Sequence, residues 1–187
     1  MADQPRHKAA WIRWLIGTAL TVTFAVAVVW GARAWGQSIV FAFGVNWVLM
    51  MWAIMFASNV VPLRLPAQYY VTRRFEKAGR LYDLVGVRWY RRLLRPLLWS
   101  VNPALLRSER DARKTMIRAT ENPEAGHLLI FVVISGITLW ALVSGWWETV
   151  AWLLLFNLLH NGYPVLSMRQ LRARLNAVST RLPNARL

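Results

Sequence analysis

The stretch Ala151–Leu175, AWLLLFNLLHNGYPVLSMRQLRARL, decides how the chain is read. It is apolar enough to enter a bilayer, yet it carries Asn157, His160 and Asn161 in its middle and lower half. It ends in Tyr163-Pro164, with Arg169, Arg172 and Arg174 a few residues on. Polar side chains cost free energy at membrane depth, about 2.5–3.5 kcal/mol for a charge and less for an amide, so they turn toward the bundle interior. Asn157 and Asn161 are four apart and share a helix face, with His160 one position round from Asn161. Two readings stand open: polar groups that tie helices together, or polar groups that do chemistry.

The rest of the chain supplies the context. A hydrophobic fraction of 57% coexists with a formal net charge of +15 in 187 residues. Both are satisfied only if apolar and basic residues are segregated, the pattern of a membrane protein with basic aqueous loops. Four hydrophobic segments are expected as spans, at 11–30, 38–61, 127–146 and 149–168. Each is close to the roughly 20 residues that cross the hydrocarbon core. The first is too long for a signal-peptide core and reads as a retained span. GARAWGQS reads as a tight turn between the first two segments, and Gly44, Asn46 and Pro62 as interruptions or ends of the second. Trp147-Glu148 reads as the turn of a second antiparallel hairpin. Fourteen Lys and Arg lie in the loop 62–125 and five in the tail 169–187, against Arg33 alone in the two short turns. The positive-inside rule therefore puts the N-terminal residues 1–10, the loop and the tail in the cytoplasm. The expected fold is an all-α integral membrane protein: four transmembrane helices as two hairpins, in a single membrane domain. A bacterial inner membrane is the expected location.

The loop is expected to hold amphipathic interfacial helices. Leu81, Leu84, Val85 and Trp89 recur at helical spacing, as do Leu93, Leu94, Leu97 and Leu98, with arginines between them and breaks at Pro96 and Pro103. Such helices anchor on anionic headgroups, at about 1 kcal/mol per basic residue, or cover a lateral opening where a phosphate-bearing ligand docks. The polar stretch RSERDARKTMIRATENPEAG then leads to the third segment, with Pro123 suited to its first turn.

Glu124 and His127 lie three apart on that turn, on one face. The bland reading is a carboxylate at a helix N-terminus beside an interfacial imidazole. The functional reading is a carboxylate orienting a general base. A hairpin of the last two segments brings His127 level with His160 and Asn161. One histidine with a carboxylate, two asparagines donating to an oxyanion, and flanking arginines suffice for acyl transfer.

Other chemistries lack their residues. Without cysteine there is no disulfide or thiolate chemistry, and three histidines leave little for a metal site, so neither metal nor cofactor is expected. Nucleotide-binding, nucleophile-elbow, zincin and soluble H-x-x-x-x-D acyltransferase patterns are missing. Topology accounts for the arginines better than nucleic acid does.

Several short pieces in order resemble the glycosyl-4,4'-diaponeurosporenoate acyltransferase family. They are Arg64-Leu65-Pro66, Tyr69, Phe75-Glu76-Lys77-x-Gly79-Arg80, Val87-Arg88-x-Tyr90, Glu124-x-x-His127, Asn161-Gly-Tyr163-Pro164 and Arg169-x-x-Arg172-x-Arg174-Leu175. Met168 stands where that family tends to have glutamine, and Leu171 where asparagine is common. The resemblance implies esterification of a sugar hydroxyl on a glycosylated carotenoid, or a related glycolipid, with a fatty acyl chain. Together with the residues' own placement, this leaves His127, Glu124, Asn157 and Asn161 as the expected catalytic group. Arg64, Tyr69, Glu76, His160, Arg169, Arg172 and Arg174 would bind substrate, with Arg169, Arg172 and Arg174 on acyl-donor phosphates. The partners would be membrane lipids, an acyl-CoA or lipid donor and the glycosylated acceptor. A different class also fits the residues: a non-catalytic lipid- or pigment-binding subunit of a larger membrane complex. Twelve tryptophans, many at segment ends, suit it.

Overall fold

The computed structural model describes residues 4–94 and 117–181, and every regular element among them is helical. The helices are α1 (Gln4–Trp35), α2 (Ile39–Asn59), α3 (Arg80–Leu84), α4 (Val87–Leu93), α5 (Glu121–Val143), α6 (Trp147–Asn157) and α7 (Tyr163–Arg181). Two 3-10 turns (Ala67–Tyr70 and Arg74–Gly79) precede α3, and a π-helical turn (Leu158–Gly162) joins α6 to α7. Three helical runs, Ala10–Trp35, Ile39–Asn59 and Ile117–Val143, are long and apolar enough to cross a membrane. The chain divides into two compact units, one of residues 1–63 with 126–161 and one of 64–125 with 162–187.

In the first unit α1 and α2 approach closely. A Cβ on Gly17 would meet Phe56 and Val60 at 3.1 Å, the small-residue contact by which helices associate where lipid offers no hydrophobic drive. Trp52 Nε1 donates to Thr21 Oγ1 at 3.1 Å across the same pair. The core holds Phe41, Ala42, Val45 and Ala53 of α2, Ile130, Ile134 and Ala141 of α5, and Leu153 of α6. Trp11, Trp14, Leu15, Val22, Val26 and Val29 of α1 are exposed, as a lipid-facing surface requires.

Three expectations change here. The segment GARAWGQS is not a turn through its length, because α1 continues to Trp35. Its Ala and Arg propagate a helix, and only Gly36 (φ +44) to Ser38 turns, Ser38 Oγ capping α2 by accepting from Phe41 N–H. Gly44 and Asn46 do not interrupt α2, and the chain turns between α5 and α6 at Ser144–Trp146 on Gly145 (φ +75) rather than at Trp147-Glu148.

The largest change concerns the fourth segment, which is not one α-helix. It is an 11-residue α6, a π turn at Leu158–Gly162 and then α7. Pro164 has no N–H for the His160 carbonyl, so the i→i−4 ladder must be relieved there, and the backbone widens just ahead of it. The turn carries His160 and Asn161.

The second unit is organised along α7. Tyr163 stacks on Tyr90 at 4.8 Å and donates to the Val85 carbonyl at 3.2 Å. Gln170 donates to the Gly79 carbonyl and to Asp83 Oδ1, at 3.2 and 2.7 Å. Asn176 donates to Thr72 Oγ1 at 2.9 Å. The helical spacing of Leu81, Leu84, Val85 and Trp89 is carried by two short helices, α3 and α4, because Gly86 at φ +81 separates them. Tyr82, Val87 and Tyr90 are buried, whereas Leu84, Val85, Trp89 and Leu93 are exposed beside Arg88 and Arg92. Pro96, Leu97, Leu98 and Pro103, and the polar stretch as far as residue 116, lie outside the described residues.

Candidate functional site

Each unit has its own polar network. In the first unit three asparagines from two helices and the π turn meet, all buried: Asn46, Asn157 and Asn161. Asn161 Nδ2 donates to Asn46 Oδ1 at 3.2 Å and to Asn157 Oδ1 at 3.0 Å. Asn157 Nδ2 donates to the Phe131 carbonyl at 3.0 Å and Ser135 Oγ at 3.3 Å. Asn161 Oδ1 lies 3.3 Å from Nδ1 of His127, whose ring is half-buried. Membrane helices engage polar groups in this way because an unpaired amide in hydrocarbon has no other partner.

Both amide hydrogens of Asn157 and both of Asn161 are thus engaged. Neither is free to donate to an oxyanion, and their role in this arrangement is to accept and to orient. His160 meets the imidazole of His127 through its backbone carbonyl and not through a ring nitrogen. Its Nδ1 is 3.1 Å from the Phe156 carbonyl, and its ring lies against Phe43 and Phe156, a packing role.

The second unit holds an ionic cluster. Arg169 donates to Glu76 Oε1 at 2.7 Å, to the Tyr82 hydroxyl at 3.2 Å and to the Tyr69 carbonyl at 3.2 Å, and it lies over the Tyr69 ring. Arg172 donates to Glu124 and to Thr120 Oγ1 and lies over the Tyr70 ring. Glu76, Glu124 and Arg172 are all less than 4% exposed. Tyr70 is itself fixed: its hydroxyl donates to the Glu121 carbonyl and accepts from Leu65 N–H. Burial acts against the charge on Arg169, but hydrogen bonds to Glu76, Tyr82 and Tyr69 outweigh it and raise its pKa, so it is cationic at any working pH. Burial, with Glu124 nearby, pushes the Tyr69 hydroxyl up, and burial does the same to Tyr82. Both phenols are therefore neutral.

Sequence spacing paired Glu124 with His127. The structure instead binds the Glu124 carboxylate to Arg172, with Arg169 at 4.0 Å, and gives His127 an amide partner. Arg169 and Arg172 each have a carboxylate of their own, so they are charge-compensated before any phosphate arrives. Arg174 differs. It shares Asp83 with Arg88, at 3.0 and 2.9 Å, two cations on one carboxylate, and both guanidinium groups are well exposed. Arg64 is exposed as well. Asn46, Tyr70, Tyr82, Asp83 and Gln170 were not singled out by sequence as site residues. Only the apolar setting of Asn46 gave a hint of its part.

These features define a helical membrane protein whose spans carry a neutral amide–imidazole network and whose polar unit is held by buried ion pairs. The family model described as glycosyl-4,4'-diaponeurosporenoate acyltransferase matches residues 66–181, more than half of the chain, and the chain belongs to that family. Its membership supports acyl transfer as the general activity. Neither a curated protein nor a solved structure matches the chain.

Proposed function

We propose that the protein is a membrane O-acyltransferase that esterifies a hydroxyl of a glycosylated carotenoid or related glycolipid with a fatty acyl chain. The observation that carries this reading is the His127–Asn161 contact at 3.3 Å in a chain of an acyltransferase family. A half-buried imidazole held by a buried amide is an oriented base. In the proposed step the acceptor hydroxyl gives its proton to His127 as its oxygen attacks the donor carbonyl. The tetrahedral adduct then collapses, the acyl–thioester or acyl–ester bond of the donor breaks, and the imidazolium returns the proton to the leaving group. Glu124 has a structural part in this scheme, through Arg172. Arg88 and Arg174, two cations on Asp83, are suited to donor phosphates. Arg64 and Tyr69 are further contacts for substrate, and Arg169 with Glu76 holds Tyr69 in place.

In this reading the apolar segment 149–168 is a fourth crossing, and both termini face the cytoplasm of a bacterial inner membrane. The test compares lipid and pigment extracts, by mass spectrometry, from cells with the gene, without it, and with His127→Ala. The expected result is loss of one acylated glycolipid and accumulation of its deacyl precursor in the last two. Unchanged extracts would move the protein to the class of non-catalytic subunits, where co-purifying membrane proteins are the thing to look for.

A further inference from the structure

We propose that Asn46, which precedes the family-matched segment, is a positioning residue for the same site and sets which nitrogen of His127 carries the proton. The inference rests on His127 as the base and deepens that reading. It follows from where amide donors and acceptors must point, since a carbonyl oxygen only accepts and an NH2 only donates.

Asn46 Nδ2 donates to the Ala42 carbonyl of its own helix at 2.9 Å. That bond admits one orientation of the amide, with Oδ1 turned toward Asn161. Asn157 is fixed in the same way by the Phe131 carbonyl, so its Oδ1 also faces Asn161. Two acceptors on one side of Asn161 require its NH2 there and leave its Oδ1 toward His127. An amide oxygen cannot donate, so Nδ1 of a bonded neutral His127 carries the hydrogen. The lone pair is then at Nε2, the nitrogen left to take the acceptor proton. The chain of constraint runs from the backbone carbonyl of Ala42, through Asn46 and Asn161, to Nε2 of His127. Without Asn46 one of the two acceptors that fix Asn161 is gone, and its amide has less to hold it against rotation.

The test is 15N NMR of histidine-labelled full-length protein in lipid nanodiscs, with transfer measured from palmitoyl-CoA to octyl glucoside. The wild type is expected to show the Nδ1–H tautomer at His127. Asn46→Leu is expected to give mixed tautomers and a kcat about ten-fold lower or more, the scale of lost outer partners of a working histidine, with KM little changed. Asn46→Asp keeps an acceptor oxygen for Asn161 and is expected to recover the single tautomer and most of the kcat. A wild-type Nε2–H tautomer overturns the inference, even if Asn46→Leu does not fold. So does a folded Asn46→Leu with unchanged tautomer. If instead the tautomers respond as expected while His127→Ala keeps full transfer, the base reading fails and the orienting chain stands.

Discussion

Arg169 is the side chain on which the second unit should depend most, and a double-mutant cycle with Glu76 tests this. Glu76 is 1% exposed and its carboxylate lies 2.7 Å from the guanidinium, which is itself 16% exposed. Glu76→Gln keeps an oxygen for Arg169 and for the Arg73 N–H that now donates to it, but removes the charge. Breaking one side of a buried pair costs about 3–5 kcal/mol, because the partner charge stays buried. The Glu124 carboxylate 4.0 Å from Arg169 offsets some of this, so Glu76→Gln falls at about 3 kcal/mol. Arg169→Met leaves Glu76 with no cation at a nearly sealed site and also removes the bonds to Tyr82 and the Tyr69 carbonyl. Its cost is at the upper end, about 5 kcal/mol. The double variant leaves no unpaired ion from this couple, so its loss should be about 2–3 kcal/mol smaller than the sum of the singles. Hydrogen exchange by mass spectrometry reads this locally, on peptides covering 67–93 and 163–181 of the protein in micelles. Singles that add within about 0.5 kcal/mol would show that the two charges do not act as a pair.

Further outcomes follow from other sites. Gly79→Ala should destabilise this unit by about 1–2 kcal/mol for a left-handed residue given a Cβ, and more than Gly86→Ala does. At Gly79 the added carbon meets the Gln170 backbone oxygen at 3.1 Å, while at Gly86 the nearest atom is 3.5 Å away; equal shifts in melting would contradict that geometry. The hydrogen bond from Arg88, with Gln170 and Arg174, holds the Asp83 carboxyl below its ordinary range against a small opposing effect of burial. The stability it contributes is therefore present above the unfolded pKa of about 4 and is lost as pH falls through the lower folded value. Melting curves at stepped acid pH should show this decline, and Asp83→Asn should flatten it. The chain has no cysteine, so single cysteines can be placed at will. Spin labels at Leu84 and Trp89 should collide with lipid-soluble oxygen more than one at Arg64 if α3 and α4 lie on the membrane surface. Cysteines at Gln37 and Ser144 should both react with an impermeant maleimide from the outside of intact cells if the chain crosses four times, and protection of either would remove that topology.

The spans were legible because hydropathy and charge segregation act over twenty residues at a time. The expected segment 11–30 lies inside α1, 38–61 matches α2 within two residues at each end, and 127–146 overlaps α5. The fourth segment was legible as apolar but not as broken, since the π turn depends on Pro164 and on amide partners brought from elsewhere in the chain. The site was half legible. Buried asparagines in an apolar run announced themselves, yet Asn46 read as an interruption until its partner, 115 residues away in sequence, was in place. Spacing put Glu124 and His127 on one face, but a face offers a neighbour and does not guarantee a bond. A guanidinium 48 residues on is the stronger partner for the carboxylate.

The division of labour between amides and ions has a physical reason. His127, Asn46, Asn157 and Asn161 lie on or beside apolar spans, and among the described residues no carboxylate belongs to their network. An aspartate in the place of Asn161 would give the imidazolium a counter-charge, as in a soluble catalytic triad. It would also place an anion in an apolar run, at about 2.5–3.5 kcal/mol on insertion scales, unless the imidazole took up a proton to balance it in the resting state. Such a resting ion pair fills Nδ1 and Nε2 with hydrogens and leaves no base. An amide orients the ring without protonating it, which in the proposed mechanism leaves the uncharged form for the acceptor hydroxyl. Asn161→Asp should therefore raise the pH at which His127 loses its proton, read by 15N shifts, and move the acid limb of the transfer profile upward in step. A profile unmoved while the histidine pKa rises would mean that His127 does not handle the acceptor proton.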